Sequence, residues 1–192
     1  MRDMEHVCAK QCPKKPQCVL FHPAVLSRKK DLMYLGKIDD LPVELIIVGE
    51  GSLMDSLVMQ RDKMGLKNKI HFPGKVKDVA AWYKSSDIFV STSECESFGM
   101  VILEAMAWSL PVVATDTDSA TDLVKNNVNG LIVPREDENA LAYALQRLIN
   151  DKERRTEMGR EGRKIAAAYD AKLITREYRD RILDAYNKEH SK

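Results

Sequence analysis

From residue 43 onward, short runs that are apolar at every position alternate with stretches whose apolar residues recur at helical spacing. "VELIIV" (43–48) is a β-branched run followed by "GEGS", after which Leu53, Leu57 and Met64 mark a helical pattern. "KIHF" (69–72) reads as a strand ahead of "PGKVKD" and the helical "VAAWYKSS". "DIFVS" (87–91) reads as a strand, "FGMVILEAMAW" as a helix and "PVVAT" (111–115) as a strand. "DSATDLVKN" leads to the strand "GLIVP" (130–134) and the helix "ENALAYALQRLIN" (138–150). Strands that are apolar throughout, each followed by a helix, require a parallel sheet covered on both faces. Repeated right-handed crossovers then predict an α/β fold, a doubly wound parallel sheet of Rossmann-like type.

The two ends read differently. After residue 150 the chain is helical in pattern and highly charged, and Ile174, Tyr178, Ile182 and Tyr186 recur every four residues. That spacing gives the last helix one apolar stripe, which must cover either this domain's edge or a surface outside this chain. Before residue 43, "QCVLF" suits a first strand and "KKDLMYLGKIDDL" a first helix, although Gly36, Asp39 and Asp40 are weak helix formers. The expected organisation is an N-terminal arm (1–16), a Rossmann-like domain (17–170) and a C-terminal helix (171–192).

Composition changes this picture little. The 192 residues are long enough for one real core, with 44% hydrophobic and 31% charged residues. A net charge of +1 and 6% aromatic residues point away from a nucleic-acid face. No apolar run approaches the roughly 20 residues of a membrane span, and the polar start "MRDMEHVCAKQCPKKP" has no signal-peptide core. The expected compartment is the cytoplasm, either free or peripheral at the inner face of a membrane. Cys8, Cys12 and Cys18 crowd the first twenty residues beside His6 and His22, but their spacing matches no paired zinc knuckle, and no metal is expected.

Chemistry concentrates where strands end. Ligands of doubly wound sheets bind beyond the carboxyl ends of the strands. That rim collects "GEGS" (49–52), "PGKVKD" (73–78), "TSECESFG" (92–99) and "TDTDSA" (115–120). Gly49 and Gly51 permit close backbone approach to a ligand. The third loop opens a helix near Phe98, so free N–H groups around Ser97 to Met100 make a site for anionic oxygens, with Gly99 keeping the approach open. Glu96, just before the turn, can accept hydrogen bonds from hydroxyls. Glu104, inside the helix among Val101, Ile102, Leu103 and Ala105, is expected to be at least partly enclosed and to need donors. It is either a structurally paired acid or a ligand-binding one.

The segment "ESFGMVILEAMAWSLPVVATD" resembles the E-x7-E region of the retaining, nucleotide-sugar-dependent glycosyltransferases of group 1 (family 4), built from two Rossmann-like domains in the GT-B architecture. "VELIIVGEGS", "KIHFPGKVKDVAAWYKSSDIFVSTS" and "VNGLIVPREDENALAYALQRLINDKE" resemble that family's flanking segments in the same order. The resemblance spans about 43–188 and implies the C-terminal, donor-binding half of such an enzyme. It implies that Glu96, the catalytic candidate, faces the hydroxyls of the transferred sugar and that Glu104 holds the ribose hydroxyls. It also implies that the amides of Ser97, Phe98, Gly99 and Met100 meet sugar and diphosphate. Val76 would hold the base through its backbone. The last helix would cross back onto the other domain, and Glu94 matches no motif position. The donor would be a UDP- or GDP-sugar and the mechanism metal-independent, with no separate cofactor. The partners implied are that nucleotide sugar and an N-terminal acceptor-binding domain or subunit.

There are departures. The family's G-R-x4-K stretch aligns with "LFHPAVLSRKKDL", putting Ala24 at the arginine and Lys29 at the lysine. A lysine point charge replaces a guanidinium fork on phosphate only in part, with Arg28 and Lys30 the nearby substitutes. Asp118 and Ser119 stand where the family has Gly-Gly, and Asp122 where it has glutamate. Trp108 and Ser109 replace a small residue and a glycine at a helix end. The family's N-terminal domain, with its catalytic histidine, is not expected within this chain. The reading that follows is the donor half of a glycosyltransferase. Its alternatives are a non-catalytic nucleotide-sugar module and an interaction domain that has lost its site; a sugar-nucleotide epimerase fits the E-x7-E segment less well.

Overall fold

The computed structural model describes residues 17–21, 43–94 and 97–190. Six strands, β1 (Gln17–Phe21), β2 (Val43–Val48), β3 (Ile70–Gly74), β4 (Ile88–Ser91), β5 (Val112–Thr115) and β6 (Gly130–Val133), form one sheet in the order β3-β2-β1-β4-β5-β6. Every pairing is parallel; Val19 of β1 lies opposite both Leu45 of β2 and Ile88 of β4. The sequence therefore winds outward from β1 to one edge and then from β4 to the other. The doubly wound expectation is met, and the reversal falls between β1 and β4.

Among the described residues, seven helices alternate with the strands or follow them: α1 (Met54–Lys63), α2 (Ala80–Ser85), α3 (Met100–Ala107), α4 (Asp118–Leu123), α5 (Glu138–Asn150), α6 (Lys152–Ala168) and α7 (Ala171–His190). Alternate residues of the strands enter two cores. Leu45, Ile47, Ile88, Val90 and Val113 pack with Leu57, Leu141, Leu145 and Leu148 on one face. Ile46, Val48, Phe89, Val112 and Ala114 pack with Trp82, Tyr83, Ile102, Met106 and Leu123 on the other. This double coverage explains why the strands carry no polar alternation.

Two close approaches fix α6 on α3. A Cβ placed at Gly159 would lie 1.9 Å from the carbonyl oxygen of Ser109, and one at Gly162 would lie 3.2 Å from Met106 Cγ. Arg155 is buried in α6, and its guanidinium donates to the carbonyls of Leu148 (2.6 Å) and Ile149 (2.9 Å), closing the end of α5. The aberrant Ser109 of the sequence has a geometric role. It follows the Trp108 cap of α3 with φ 61°, the left-handed position that glycine usually fills after a helix.

The elements differ from expectation mainly at their ends. α3 begins at Met100, two residues after Phe98, because Gly99 turns left-handed and caps it. β3 runs on to Gly74. The suggested first helix and the Cys8 and Cys12 arm lie outside the described residues. On α7, Tyr178, Ile182 and Tyr186 of the expected stripe are exposed, with Leu173 and Leu183 beside them.

Candidate functional site

The reversal between β1 and β4 opens the crevice in which ligands of such sheets sit. Its β4 wall is formed by residues 92–94 and 97–99, which follow β4. Thr115 of β5 donates from Oγ1 to the Ser93 carbonyl at 2.6 Å. Arg135, after β6, donates from Nε (3.2 Å) and its backbone N–H (3.1 Å) to Asp116 Oδ1, and from Nη1 to the Glu94 carbonyl at 3.5 Å. Three consecutive rim loops are thereby tied together. Glu94 is exposed, as expected of a loop acid outside the motif.

The loop ends on Gly99 with φ 80° and ψ 35°. A side chain there would be strained by the left-handed backbone and would press on Leu123 Cδ1 at 3.0 Å. The turn lets α3 start abruptly at Met100. Ile102 and Leu103 both donate to the Gly99 carbonyl, whereas Met100 and Val101, at the head of the helix, have no acceptor within it. Their amides and the helix dipole face the crevice mouth. Ser97, Phe98 and Met100 are exposed there. Phe98 meets Tyr169, the cap of α6, edge to face with ring centroids 6.1 Å apart.

One turn into α3, Glu104 is exposed, which corrects the expectation of an enclosed acid. Its neighbours Leu103 and Ala105 turn inward while Glu104 itself lies on the helix's solvent side. The carboxylate still has a structural donor. The hydroxyl of Tyr83, from α2, donates to Glu104 Oε2 at 3.0 Å. Tyr83 is only 2% exposed. Burial, then the Glu104 charge and then this hydrogen bond push its phenol far above the ordinary tyrosine value. Tyr83 is not among the site residues expected from the sequence. The available signal was an aromatic hydroxyl in the apolar stripe "VAAWY", since a buried phenol needs an acceptor.

The outer wall of the crevice carries the glycine loops. Gly49 has φ 144° and donates its N–H to the Gly74 carbonyl at 3.0 Å, joining "GEGS" to "PGKVKD". Gly74, with φ 72°, has open space where a Cβ would project. Gly51 is half-buried in the same rim, and Val76 is half-buried against the second core. Glu96, Lys29 and Ala24 lie outside the described residues. The structure thus brings Gly49, Gly51, Val76, Ser97, Phe98, Gly99, Met100 and Glu104 to one edge of the sheet, and it adds Tyr83 and Arg135.

Among the described residues, no cluster of His, Cys, Asp and Glu could hold a metal ion, and no helix is long and apolar enough to cross a membrane.

Known proteins resemble this chain in sequence and in fold. The chain is 32% identical over 173 residues to a phosphatidyl-myo-inositol mannosyltransferase of Mycobacterium leprae, covering 84% of this chain and 45% of that protein. It is 29% identical over 144 residues to the lipopolysaccharide core biosynthesis glycosyltransferase LpsE of Rhizobium meliloti, covering 75% of this chain and 40% of that one. The chain thus spans less than half the length of these relatives. Its fold matches Anabaena HepE in complex with UDP, with a TM-score of 0.83 and 25% identity over 95% of this chain and 53% of HepE. It also matches the C-terminal domain of a glycosyl transferase group 1 family protein, LpcC, from Francisella tularensis. There the TM-score is 0.73 at 23% identity, over 86% of this chain and 91% of that domain. The fold is therefore that of one Rossmann-like half of a GT-B glycosyltransferase. Residues 13–165 match the family described as glycosyl transferases group 1, and the chain belongs to that family.

Proposed function

We propose that this chain is the donor-binding half of a retaining glycosyltransferase that takes its sugar from a nucleoside diphosphate sugar. The observation that carries the reading is the pairing, at the sheet's reversal, of the Gly99-capped helix start with a carboxylate one turn below it. Amides of Met100 and Val101 suit a diphosphate, and Glu104, steadied on one oxygen by Tyr83, keeps the other for ribose hydroxyls. Val76 would meet the base. Glu96 would face the hydroxyls of the sugar, on a loop held by Thr115 and Arg135. HepE, which shares the fold, is known in complex with UDP and with UDP-glucose, which favours a uridine nucleotide.

In the reaction the diphosphate departs against the helix amides and Lys29, and the acceptor attacks on the face the diphosphate leaves. Stabilising the charge on the leaving group is this half's main contribution. The acceptor would sit on an N-terminal domain or subunit. The exposed Tyr178, Ile182 and Tyr186 of α7 suit the surface that packs on it. The complete enzyme would work at the cytoplasmic side, free or against the membrane.

Calorimetric titration of the purified chain with UDP, GDP, ADP and their sugars tests the reading. One nucleotide should bind saturably and more weakly to Glu104→Ala. Equal binding by both proteins would refute the ribose role. A second reading, a non-catalytic nucleotide-sugar module, draws on Ala24 in place of the family's arginine. It would be favoured if the donor binds but no transfer occurs once the acceptor domain is supplied.

A further inference from the structure

At the end of the sheet opposite the rim, two arginines from successive helices converge on one neutral oxygen. Arg154 Nη2 lies 2.8 Å from Asn127 Oδ1, and Arg147 Nη2 lies 3.3 Å from the same atom. Asn127 belongs to the turn before β6, so it sits at the amino ends of the strands, a sheet's length from Gly99. Both arginines are half-buried, which fixes their stems, while Asn127 is exposed. Neither guanidinium has a carboxylate within 4.0 Å among the described residues. Asp151, between the two arginines in sequence, is engaged in capping α6 by accepting the Arg154 backbone N–H at 2.8 Å. Glu153 faces a different groove, with Glu157 and Arg160.

The turn presenting Asn127 is firmly built. Asn127 donates its N–H to the Gly130 carbonyl at 2.8 Å and Val128 donates to that of Lys125 at 2.9 Å. Asn129, wholly buried, accepts from the Lys125 N–H (2.6 Å) and donates to the Leu123 carbonyl (3.0 Å). Arg147 also rests over the ring of Tyr143, 6.0 Å from its centroid, and that tyrosine is exposed beside it. Two fixed like charges sharing a single amide acceptor repel each other, and Arg154 Nε is buried with no hydrogen-bond partner among the described residues. An anion with several oxygens at this point would relieve the repulsion and take donors from both forks.

We propose that Arg147, Arg154 and Asn127 form a phosphate-binding site, separate from the donor crevice, for a phosphate ester group. Such a group is carried either by a soluble molecule or by a lipid headgroup. The site owes nothing to the donor reading and stands or falls independently of it.

The test uses the full chain at constant ionic strength, with inorganic phosphate replacing chloride. Binding is read by calorimetry on the parent, Arg147→Gln and Arg154→Gln. Far-UV circular dichroism checks folding, and Arg147→Gln alone suffices if the other unfolds. Saturable binding to the parent, weakened about tenfold or more in each variant, is the expected result. Any phosphate held at the donor crevice persists in both variants and so does not mimic it. A second arm compares glycerol phosphate with sedimentation on phosphatidylcholine vesicles containing phosphatidic acid. Vesicle binding lost in the variants identifies the lipid headgroup as the source. Variant-sensitive binding of glycerol phosphate alone identifies the soluble ester. Absence of saturable binding by the parent, or binding that both variants retain in full, overturns the site.

Discussion

Tyr83 and Glu104 meet across two helices, with the buried phenol donating at 3.0 Å to an oxygen of an exposed carboxylate. An exposed glutamate on a helix ordinarily samples several rotamers. Here α2 holds one oxygen, and on the proposed reading the other is left for the ribose. Tyr83 is thus a positioning residue for the proposed ribose contact. Tyr83→Phe should weaken nucleotide binding about three- to tenfold, and Glu104→Ala by about ten- to a hundredfold, since hydrogen bonds to charged groups contribute roughly 1.5–3 kcal/mol. Calorimetry on the two variants and their combination checks this. If Tyr83 acts through Glu104, adding Tyr83→Phe to Glu104→Ala causes no further loss; additive losses would refute the coupling.

The same pair gives the folded chain a pH signature. The Tyr83 phenol is pushed above its ordinary value, by burial first and by Glu104 second. Above a pH of about 10 the unfolded chain gives up this proton while the folded chain keeps it. The stability so gained is complete below that pH and is lost as pH rises, at up to about 1.4 kcal/mol per pH unit. Urea unfolding from pH 9 to 11 should therefore show a steeper decline for the parent than for Tyr83→Phe. Parallel declines would contradict the shift.

Much of this site was legible in the residues because its parts are local. A glycine before an apolar helix, a carboxylate one turn in and glycines after a strand are patterns of neighbours, and all of them landed on one rim. What the sequence hid depends on contacts between distant segments. Tyr83 reaches Glu104 from 21 positions away and Arg135 reaches Glu94 from 41 away, and no periodicity carries such information. The enclosure expected for Glu104 failed for a related reason. Its apolar neighbours in sequence occupy the other faces of α3, so their burial says nothing about its own. Ser109 looked anomalous only because its neighbours did not reveal the left-handed turn it makes.

That turn yields a pair of opposed predictions. Ser109 holds φ 61°, a conformation costing a non-glycine residue about 1 kcal/mol or more. Ser109→Gly should therefore stabilise the chain by up to about 1 kcal/mol, because relief of the strain exceeds the added entropy of the unfolded chain. Fifty residues on, the small residue is indispensable. Gly159→Ala puts a methyl group 1.9 Å from the Ser109 carbonyl oxygen, which is backbone and cannot swing away. α6 must then move off α3, at a cost of about 1–3 kcal/mol. Thermal or urea denaturation of the two variants measures both signs. A destabilised Ser109→Gly, or a neutral Gly159→Ala, would contradict the geometry.

Arg135 allows the nucleotide and sugar ends of the crevice to be tested apart. Its guanidinium spans from Asp116 to the Glu94 carbonyl, two residues before Glu96. It lies on the β5–β6 side of the loop, away from Glu104 and Val76. As an exposed ion pair it should matter little to folding, and Arg135→Ala is expected to change stability by no more than about 1 kcal/mol. Its loss would remove one tie on the loop leading to Glu96, leaving the Thr115–Ser93 bond, the Gly99 cap and the Tyr83–Glu104 pair untouched. Binding of the nucleoside diphosphate should stay within about twofold of the parent. Binding of the corresponding nucleotide sugar should weaken about three- to tenfold, the loss of roughly one hydrogen bond's worth of order. Arg135→Lys, which keeps the charge but not the fork, should recover only part of the difference. Equal losses for nucleotide and nucleotide sugar would mean that Arg135 supports the rim as a whole rather than the sugar end of it.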